Sequence, residues 1–594
     1  MLRRFALGRT RLGKAAAVIL FVLLLSTLIY TNYIATQQTQ DALNLSDHIH
    51  RLHVVIRASQ SREAPTAPRE VGLRSSSNMK RIIINTTAST SSSTPSTTTV
   101  LTKTTSTTAL PKNTSSATKA QNSPARSNTR TLTPADMHTP LTPLHFKTLW
   151  KRVEHVTYHD PCNTKFSSAG FANQYAVCST TSANPPAPLP PAHNTSNTRS
   201  SFQCFVNAQT QGTFCHATNL QLNRKKIKVS RGGEEIAAVL GRSEEDEMPE
   251  FQPGAFEVSG CQLTENLSPQ HVKYSLAKII PSIARLDENQ SLACTAWIEE
   301  PVLFVTRYEY ANVYHTMTDW YNVWLTLLAA GLLQEHRNIT VHGARVTRPL
   351  PHRIVFLDGH ARSVLDVTWK DLFTPRVQYV SELSLHTCFR NAFFVPTGYT
   401  SPIYDWPENC GLVQPAREFA NYVLRQHGLL SEPIVANRVT FIFRDPFTAH
   451  PRNPGGSVGR QLRNNTLVEA IIARETQGTG LNLHPAWTNF TQQLRAIRSS
   501  SILMGVHGAG LTHVLFMAPG SVLVELQPQS HAYFTHFERF ARWTGQQYVR
   551  VILQGMHATH DIKEEELSTL VRKILDGQVA SLPKPVIFSD IDAP

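Results

Sequence analysis

The sequence predicts an α/β protein made of two Rossmann-type domains that face each other across a cleft, preceded by a membrane anchor and a disordered stem. From about residue 299 onward, short apolar runs typical of buried strands alternate with longer segments of helical periodicity. The alternation occurs in two successive series, which is the pattern of two doubly wound domains. Ahead of them lie an apolar run and a long Ser/Thr-rich stretch.

The N-terminus has the pattern of a signal anchor. Residues 1–14 carry several cationic side chains, and residues 15–34 are mostly apolar and long enough to cross a bilayer. Cationic residues before the apolar run, with none directly after it, predict a cytoplasmic N-terminus and a lumenal remainder. A cleavable signal peptide is the alternative, but no small-residue cleavage site follows the run cleanly. The favoured interpretation is a single-pass type II membrane protein.

Residues 35–145 are rich in Ser, Thr, Pro and Ala. Such a composition buries too little apolar surface to offset the ordering entropy, so we expect an extended, O-glycosylated stem. The net charge of +14 would suit a nucleic-acid partner, but a lumenal location argues against one. The excess charge is instead assigned to the tail, the stem and affinity for an anionic nucleotide.

All eight cysteines follow the stem, which predicts disulfides formed in an oxidising compartment. The pairs expected first are Cys204 with Cys215 and Cys388 with Cys410, because these pairs enclose short loops. The cysteine spacing does not suggest a zinc site. Residues 146–295 are therefore expected to form a disulfide-containing accessory region.

The first α/β series covers residues 296–435 and the second covers residues 436–580. In the first series the predicted strands are 302–306, 353–357 and 391–395, and the predicted helices are 311–333 and 416–426. In the second series the predicted strands are 439–443, 501–506, 521–526 and 548–553, and the predicted helices are 467–475, 490–499, 511–517 and 562–575.

The helix predicted over 311–333 carries a polar stripe beside an apolar one. At helical spacing the apolar stripe contains Val313, Met317, Trp320 and Trp324, and the polar stripe contains Asn312, His315, Asp319 and Asn322. Burying a carboxylate, an imidazole and two amides costs a few kcal/mol unless they are paired. The stripe therefore favours a cleft wall, and the alternative is a helix that satisfies its own polar groups.

A glycine-rich turn lies between a predicted strand and a predicted helix at His507-Gly-Ala-Gly510. In such a unit the glycines let the backbone approach an anion, and the start of the helix holds a phosphate or diphosphate. Glycine turns also occur for purely steric reasons. A metal is less favoured than a hydrogen bond for His507 and His513, because no third ligand lies in local register.

Together these segments resemble glycosyltransferase family 61, within it the plant-type branch that adds β-1,2-xylose to N-glycans. The resemblance runs in order from about residue 296 to about residue 560, and it also includes 306–310, 355–360, 368–373, 388–390, 441–446 and 449–452. A collinear series of this kind is far more specific than any single motif.

The resemblance implies a GT-B-like fold and an inverting transfer of xylose from UDP-xylose, in β-1,2 linkage, to the core β-mannose of N-glycans on glycoproteins in the Golgi. Residues 146–295 would complete the acceptor side, 296–435 would supply acceptor and base residues, and 436–580 would bind the nucleotide sugar. No metal or other cofactor is expected, because the Asp-x-Asp triplet of the metal-dependent GT-A design occurs only at Asp590-Ile-Asp592, near the C-terminus.

Inverting transfer needs a general base at the acceptor hydroxyl and stabilisation of the departing diphosphate. Asp319 is the predicted base, with His315 one turn earlier either orienting that carboxylate or taking the proton itself. Arg444 directly follows a predicted strand of the second series and is expected to grip the diphosphate. An ion pair with Asp445 is the alternative for Arg444 on the residues alone, and the family resemblance favours the nucleotide contact.

The remaining candidate residues fall into two groups. The phosphates would be cradled by His507, Gly508, Gly510 and His513, and Glu525 would accept hydrogen bonds from ribose hydroxyls. The acceptor side or the cleft would contain Glu309, Asn312, Asn322, Asp358, His450 and Arg452.

Two other functions stay open at this point. One is another family 61 activity, namely N-acetylglucosaminyl or pentosyl transfer to protein or xylan, because donor choice depends on a few side chains. The other is a lumenal glycan-binding protein without catalytic activity. Binding of a nucleotide sugar would separate the enzymes from the lectin.

Overall fold

The computed structural model describes residues 161–590, except 180–198, 208, 265–274, 288–289, 334–337, 342–343, 348–351, 405–409 and 556–558. The predicted anchor over 15–34 and the stem over 35–145 lie outside the described residues. Within the described part, no helix has the length and apolar character needed to cross a membrane. The described residues all belong to one compact unit, Ala125–Pro594.

The described part is α/β, as predicted, with an eleven-stranded sheet and a six-stranded sheet. In chain order the strands are β1 Asn173–Ser179, β2 Ser201–Val206, β3 Thr213–Asn223, β4 Ile227–Lys228, β5 Glu250–Phe251, β6 Phe256–Val258, β7 Gln262–Leu263, β8 Ile283–Arg285, β9 Ala296–Ile298, β10 Val302–Val305, β11 Asn338–Val341, β12 Ala344–Thr347, β13 Arg353–Phe356, β14 Val377–Tyr379, β15 His386–Phe394, β16 Val435–Ile442, β17 Gln461–Leu462, β18 Leu481–Leu483, β19 Ser500–Val506, β20 Val522–Pro528, β21 Gln547–Leu553, β22 Thr559–His560 and β23 Val586–Phe588.

The α-helices are α1 Pro161–Phe166, α2 Glu244–Glu247, α3 Ser275–Ile279, α4 Val313–Ala329, α5 Asp366–Leu372, α6 Gln414–Gln426, α7 Asn465–Glu475, α8 Phe490–Arg498, α9 His536–Thr544 and α10 Glu564–Leu575. Two 3₁₀ segments, Gly398–Thr400 and Ala509–Phe516, help to build the site described below. Helix α4 begins after Asn312, whose side chain accepts a hydrogen bond from the backbone N–H of Tyr314 at 3.0 Å.

The eleven-stranded sheet combines parallel and antiparallel pairing. Strands β14, β13, β10 and β15 are neighbours in that order and run parallel. Strand β15 then pairs antiparallel with β3, and the sheet continues through β2, β1 and β7. Strands from 146–295 and strands from 296–435 therefore share one sheet.

The six-stranded sheet is parallel throughout, in the order β18, β16, β19, β20, β21 and β23. Its central strands are almost wholly buried, as expected for a parallel sheet covered on both faces. Ile442 pairs with Gly505, and Gly505 pairs with Glu525. The carboxyl ends of β16, β19 and β20 therefore meet at one edge, where open α/β sheets bind ligands.

One buried apolar cluster joins the two sheets. It contains Trp320 of α4, which is fully buried and packs edge to face against Trp369 and Phe490. The same cluster includes Leu503 and Phe537 from the C-terminal part of the chain. The apolar stripe predicted for α4 is confirmed as core.

The segment after the glycine turn differs from its prediction. We predicted an α-helix over 511–517, but Ala509–Phe516 is wound as a 3₁₀-helix. Leu511 N–H donates to the Gly508 carbonyl and Met517 N–H to the Val514 carbonyl, both three residues back. A 3₁₀ run of this length is uncommon, and helical periodicity alone does not distinguish it from an α-helix.

One of the two predicted disulfides is confirmed and the other is wrong. Cys204 pairs with Cys215, whereas Cys388 pairs with Cys294 and Cys410 pairs with Cys162. Strand β9, which follows Cys294, runs parallel to β15 and so brings Cys294 beside Cys388. The prediction chose cysteines that enclose a short loop, but sheet pairing brings together cysteines that are far apart in sequence. The fourth pair is Cys178 with Cys261.

Candidate functional site

Arg444 and Arg460 lie at the ligand-binding edge of the parallel sheet, and neither pairs with a carboxylate in the part of the chain that the structure describes. Arg444 follows β16, and its Nε donates to the Gly459 carbonyl at 3.0 Å. Asp445, the partner considered from the sequence, instead contacts His484 at 3.0 Å. Burial, followed by the neighbouring charge of Arg460, lowers the pKa of Arg444 to about 10. Arg444 therefore stays charged at neutral pH, and the two guanidinium groups form a positive centre not neutralised by any carboxylate of the described residues.

Gly508 is a glycine because Arg444 occupies the space beside it. A Cβ on Gly508 would lie 1.6 Å from Nη1 of Arg444. The guanidinium therefore rests directly against the backbone of the glycine turn. The two donor-side elements predicted from separate parts of the sequence are brought into contact here.

We expect Gly508→Ala to weaken UDP binding by about tenfold, because the added methyl displaces the Arg444 guanidinium from the turn. Isothermal titration with UDP measures the effect. Gly455→Ala is the matched control, since a Cβ there meets nothing within 4 Å. Unchanged UDP affinity in Gly508→Ala would show that this contact does not shape the nucleotide site.

His507, at the end of β19, is held by Glu525 and Tyr548. Its Nδ1 makes a short hydrogen bond to Oε1 of Glu525, and the Tyr548 hydroxyl donates to Oε2 of the same carboxylate at 2.6 Å. An ionised carboxylate only accepts, so Nδ1 carries the proton and Nε2 remains for another partner. Glu525 thus positions an imidazole in this structure. The ribose contact predicted for Glu525 stays a prediction.

Two histidines that the sequence did not single out lie beside His507 and form a histidine cluster with it. The rings of His531 and His536 lie 5.7 Å and 5.2 Å from that of His507. Burial, followed by the charge of nearby cationic groups, lowers the pKa of both, to about 3 for His536. An anion bound here would reverse that electrostatic effect and favour protonation. The only sequence signal for these residues is a short His-rich stretch after β20.

Gly510 and His513 pack into the core behind the turn. His513 is fully buried, its Nδ1 bonds to the Gly510 carbonyl at 2.8 Å, and its ring lies 5.6 Å from that of Phe490. A Cβ on Gly510 would approach Cγ2 of Ile442 to 2.9 Å. Gly510 and His513 therefore support the glycine turn from the core side. Their predicted phosphate contacts stay predictions.

Buried neutral histidines make stability depend on pH. Burial lowers the pKa of His216 and His513 from 6.5 to about 4 in the folded protein. Between these two pKa values the unfolded chain binds more protons than the folded protein. The stability contributed by these neutral histidines is therefore fully present above the unfolded pKa and is lost as the pH falls toward the folded pKa. We expect a lower melting temperature at about pH 5 than at about pH 7.5. His513→Leu should reduce the difference in melting temperature between the two pH values. An equal difference in the variant and the wild type would show that His513 does not cause the pH dependence.

The polar stripe of α4 divides into two environments. Asp319 and Asn322 are buried against a turn that follows β15. Oδ1 of Asp319 accepts the Gly398 N–H at 2.8 Å, and Nδ2 of Asn322 donates to the Pro396 and Thr397 carbonyls at 3.0 and 2.9 Å. Burial raises the pKa of Asp319 well above its usual range, which favours the protonated acid.

His315, like Asn312 at the start of the helix, is a member of the stripe that is not buried. It is half-buried, with ring contacts to Tyr399 at 5.4 Å and Tyr404 at 6.2 Å. Burial lowers its pKa to about 4, which keeps the imidazole neutral. The adjacent Tyr314 lies 5.0 Å from His536, so the helix that carries His315 reaches the histidine cluster of the other sheet.

Glu309 and Arg452 connect the two halves of the chain. Nη2 of Arg452 lies 2.7 Å from Oε1 of Glu309, and Nη1 lies 3.0 Å from Glu244. His450 lies 3.6 Å from Glu309. Burial raises the pKa of Glu309, whereas Arg452 lowers it. This cluster holds the loop after Arg444 against the first sheet.

Asp358 belongs to a buried network that the sequence did not predict. Its carboxylate binds Nη2 of Arg307 at 2.7 Å, and neither side chain is exposed. His360 bridges the Arg307 carbonyl and Glu247, each at 2.9 Å. The network ties α2 to the end of β13, so Asp358 has a structural partner here. A role in binding acceptor stays a prediction.

Within the described part of the chain, no group of three His, Cys, Asp or Glu residues could hold a metal ion. The expectation that catalysis needs no metal is not tested by this observation and stays a prediction.

The sequence signature of the family Glycosyltransferase 61 matches residues 313–524, which include α4, Arg444 and the glycine turn. The chain is 28% identical to the β-1,2-xylosyltransferase of Arabidopsis thaliana over 63% of its own length and 80% of that enzyme. It is 30% identical to a β-1,2-xylosyltransferase of Oryza sativa subsp. japonica, over 62% and 73% of the two chains.

A more distant similarity links it to the EGF domain-specific O-linked N-acetylglucosamine transferase of Xenopus laevis, with 25% identity over 39% of this chain and 42% of that protein. The family signature covers the arginine, the glycine turn and the polar helix that the structure brings together. The chain therefore belongs to glycosyltransferase family 61 and is a glycosyltransferase.

Proposed function

We propose that the protein transfers xylose from UDP-xylose, with inversion and in β-1,2 linkage, to the core β-mannose of N-glycans, using two Rossmann-type halves in a GT-B-like arrangement. One observation carries the proposal: Arg444 and Arg460, which pair with no carboxylate of the described residues, lie at the carboxyl edge of a parallel sheet, and Tyr314, next to His315, contacts His536 beside them. The similarity to plant β-1,2-xylosyltransferases supports the choice of pentose and linkage.

The diphosphate of the donor would bind the positive centre. The Arg444 guanidinium can form two parallel hydrogen bonds to phosphate oxygens, and Arg460 adds a second cation. The Nε2 atom of His507 offers a further contact. These groups stabilise the negative charge that develops on the diphosphate as the glycosidic bond breaks.

His315 would act as the general base. The neutral imidazole takes the proton of the acceptor hydroxyl while that oxygen bonds to the anomeric carbon, and the bond to the diphosphate oxygen breaks on the opposite face. The products are the xylosylated glycan and UDP. A bound diphosphate raises the pKa of the nearby imidazole and so strengthens the base. Asp319 is the weaker candidate, because it is buried under the turn at Gly398 and its Oδ1 already accepts that N–H.

The charge needed at the leaving group is already supplied by arginines, so we propose that transfer needs no divalent ion. A chelator should leave the rate nearly unchanged. We also propose a Golgi membrane location with the catalytic part in the lumen, supported by the N-terminal sequence pattern and by four disulfides.

A donor and acceptor screen tests the proposal. The purified full-length chain is incubated with a panel of UDP-sugars and a free N-glycan, and UDP release and product mass are recorded. Release of UDP from UDP-xylose, together with addition of one pentose to the core mannose, is the expected result. UDP-xylose turnover without pentose on the N-glycan would overturn the assigned acceptor.

A second candidate is transfer of N-acetylglucosamine to an EGF-like domain, which the similarity to the Xenopus laevis enzyme favours. The same assay includes UDP-N-acetylglucosamine with a folded EGF-like domain. Activity confined to that pair would replace xylosyl transfer by this function.

A further inference from the structure

The turn after β15 is fixed directly on helix α4. Asp319 accepts the N–H of Gly398, and Asn322 donates to the two preceding carbonyls. A Cβ on Gly398 would lie 2.4 Å from Oγ1 of Thr318 and 2.7 Å from Oδ1 of Asp319. Only a glycine leaves room for this approach, so the turn and the helix form one rigid element.

Tyr399 follows that glycine and stands between two other tyrosines. Its ring lies 5.3 Å from Tyr308 and 5.3 Å from Tyr404, in both cases edge to face. We call Tyr308, Tyr399 and Tyr404 the tyrosine wall. All three are half-buried, whereas the turn residues beneath Tyr399 are buried. The wall therefore keeps part of its aromatic surface accessible beside His315, whose ring is 5.4 Å from Tyr399.

The chemistry of the wall suits a pyranose ring. Aromatic rings offer a large, rigid apolar surface for the C–H face of a sugar, and phenol hydroxyls can exchange hydrogen bonds with sugar hydroxyls. Burial, followed by the charge of Glu309, raises the pKa of Tyr399, so its hydroxyl stays protonated. The wall carries no cation of its own, unlike the Arg444 and Arg460 cluster, and so it does not resemble a diphosphate site.

We infer that the tyrosine wall is the acceptor subsite, which holds a hexopyranose ring of the glycan against His315, and that Asp319 and Asn322 are positioning residues that set the wall through the turn at Gly398. The inference rests on the proposed function, because the acceptor hydroxyl must lie beside the general base, and His315 is the proposed base. It also explains why two polar groups of α4 are buried in a helix that carries the base.

The test compares acceptor and donor binding in variants of the full-length chain. Tyr399→Ala should raise the acceptor KM and weaken the binding of a free N-glycan, measured in the presence of UDP, by about tenfold or more. UDP affinity should stay within about twofold of the wild type. Tyr399→Phe keeps the ring and should restore most of the binding. Tyr175→Ala is the matched control, a half-buried tyrosine on β1.

Gly398→Ala tests the positioning role without changing any side chain of the wall. It should give the same acceptor defect as Tyr399→Ala, with UDP binding retained as evidence of folding. Equal losses of glycan and UDP binding in Tyr399→Ala, or no loss of glycan binding, would overturn the inference. Glycan binding needs no donor sugar, so a wild type that binds glycan through the wall but fails to transfer xylose would contradict only the proposed reaction. A wild type that does not bind the N-glycan would overturn the acceptor assigned to the wall.

Discussion

His315→Ala is expected to lower kcat by about 10²-fold or more, the usual range for removal of a general base. The imidazole is neutral, half-buried and next to the histidine cluster that faces the positive centre. UDP affinity should change little, because His315 is not placed among the phosphate-binding groups. Turnover of UDP-xylose with saturating acceptor measures the effect, and UDP titration checks the donor site.

Asp319→Asn separates the two candidate bases. An asparagine oxygen can still accept the Gly398 N–H, so the turn should hold and turnover should fall only slightly if Asp319 is a positioning residue. If Asp319 is the base, the same substitution should cost about 10²-fold or more. Trp320→Ala serves as a comparison, because it removes packing from the core instead of a catalytic group. It should lower the free energy of unfolding by about 3–5 kcal/mol. A fully active His315→Ala protein would exclude the imidazole as base.

The pH profile adds an independent check. The base must be neutral, so kcat/KM should fall as the pH drops through its pKa in the free enzyme. Burial lowers the pKa of His315 to about 4, which places the acidic limb below the ordinary histidine value of 6.5. A limb well above 6.5 would point to a different group.

Four strands and three helices of the second half could be predicted from sequence because they are local and strongly periodic, whereas β18, β23 and α9 were not predicted. Strand β19 and helix α8, for example, lie within one residue of their predicted bounds. The pairing of β15 with β3 could not be predicted, because it joins residues more than a hundred positions apart. The eleven-stranded sheet therefore includes strands from residues 146–295, a region for which the sequence pattern predicted no strands.

The candidate site shows the same contrast between residues with a local sequence signal and residues placed by long-range contacts. Arg444 and His507 were predictable because each follows a buried strand, and parallel strands bring such positions to one edge. His531 ends a short 3₁₀ turn and His536 is the first residue of α9, two elements that the sequence pattern did not predict. For Asp319 the helical spacing predicted a position on a cleft wall, but periodicity cannot show that the turn at Gly398, far along the chain, covers the carboxylate.

Arg444→Ala is expected to lower kcat/KM for UDP-xylose by about 10²- to 10³-fold, because it removes a preorganised cation from the leaving diphosphate. UDP affinity should fall by about tenfold or more, whereas uridine, which has no phosphate, should bind as weakly to the variant as to the wild type. This contrast assigns the contact to the diphosphate. Arg444→Lys should recover only part of the loss, since an ammonium lacks the planar fork that donates two parallel hydrogen bonds.

Two further variants complete the test of the positive centre. Arg460→Ala should weaken UDP binding in the same direction, and the double variant should lose less than the two single losses combined if both cations hold one diphosphate. Arg438→Ala is the matched control, because Arg438 lies near the start of the same strand and binds the Ser499 hydroxyl at 2.9 Å. If Arg444→Ala keeps its UDP affinity and turnover, the unneutralised charge at this edge serves another anion, and the donor must bind elsewhere in the chain.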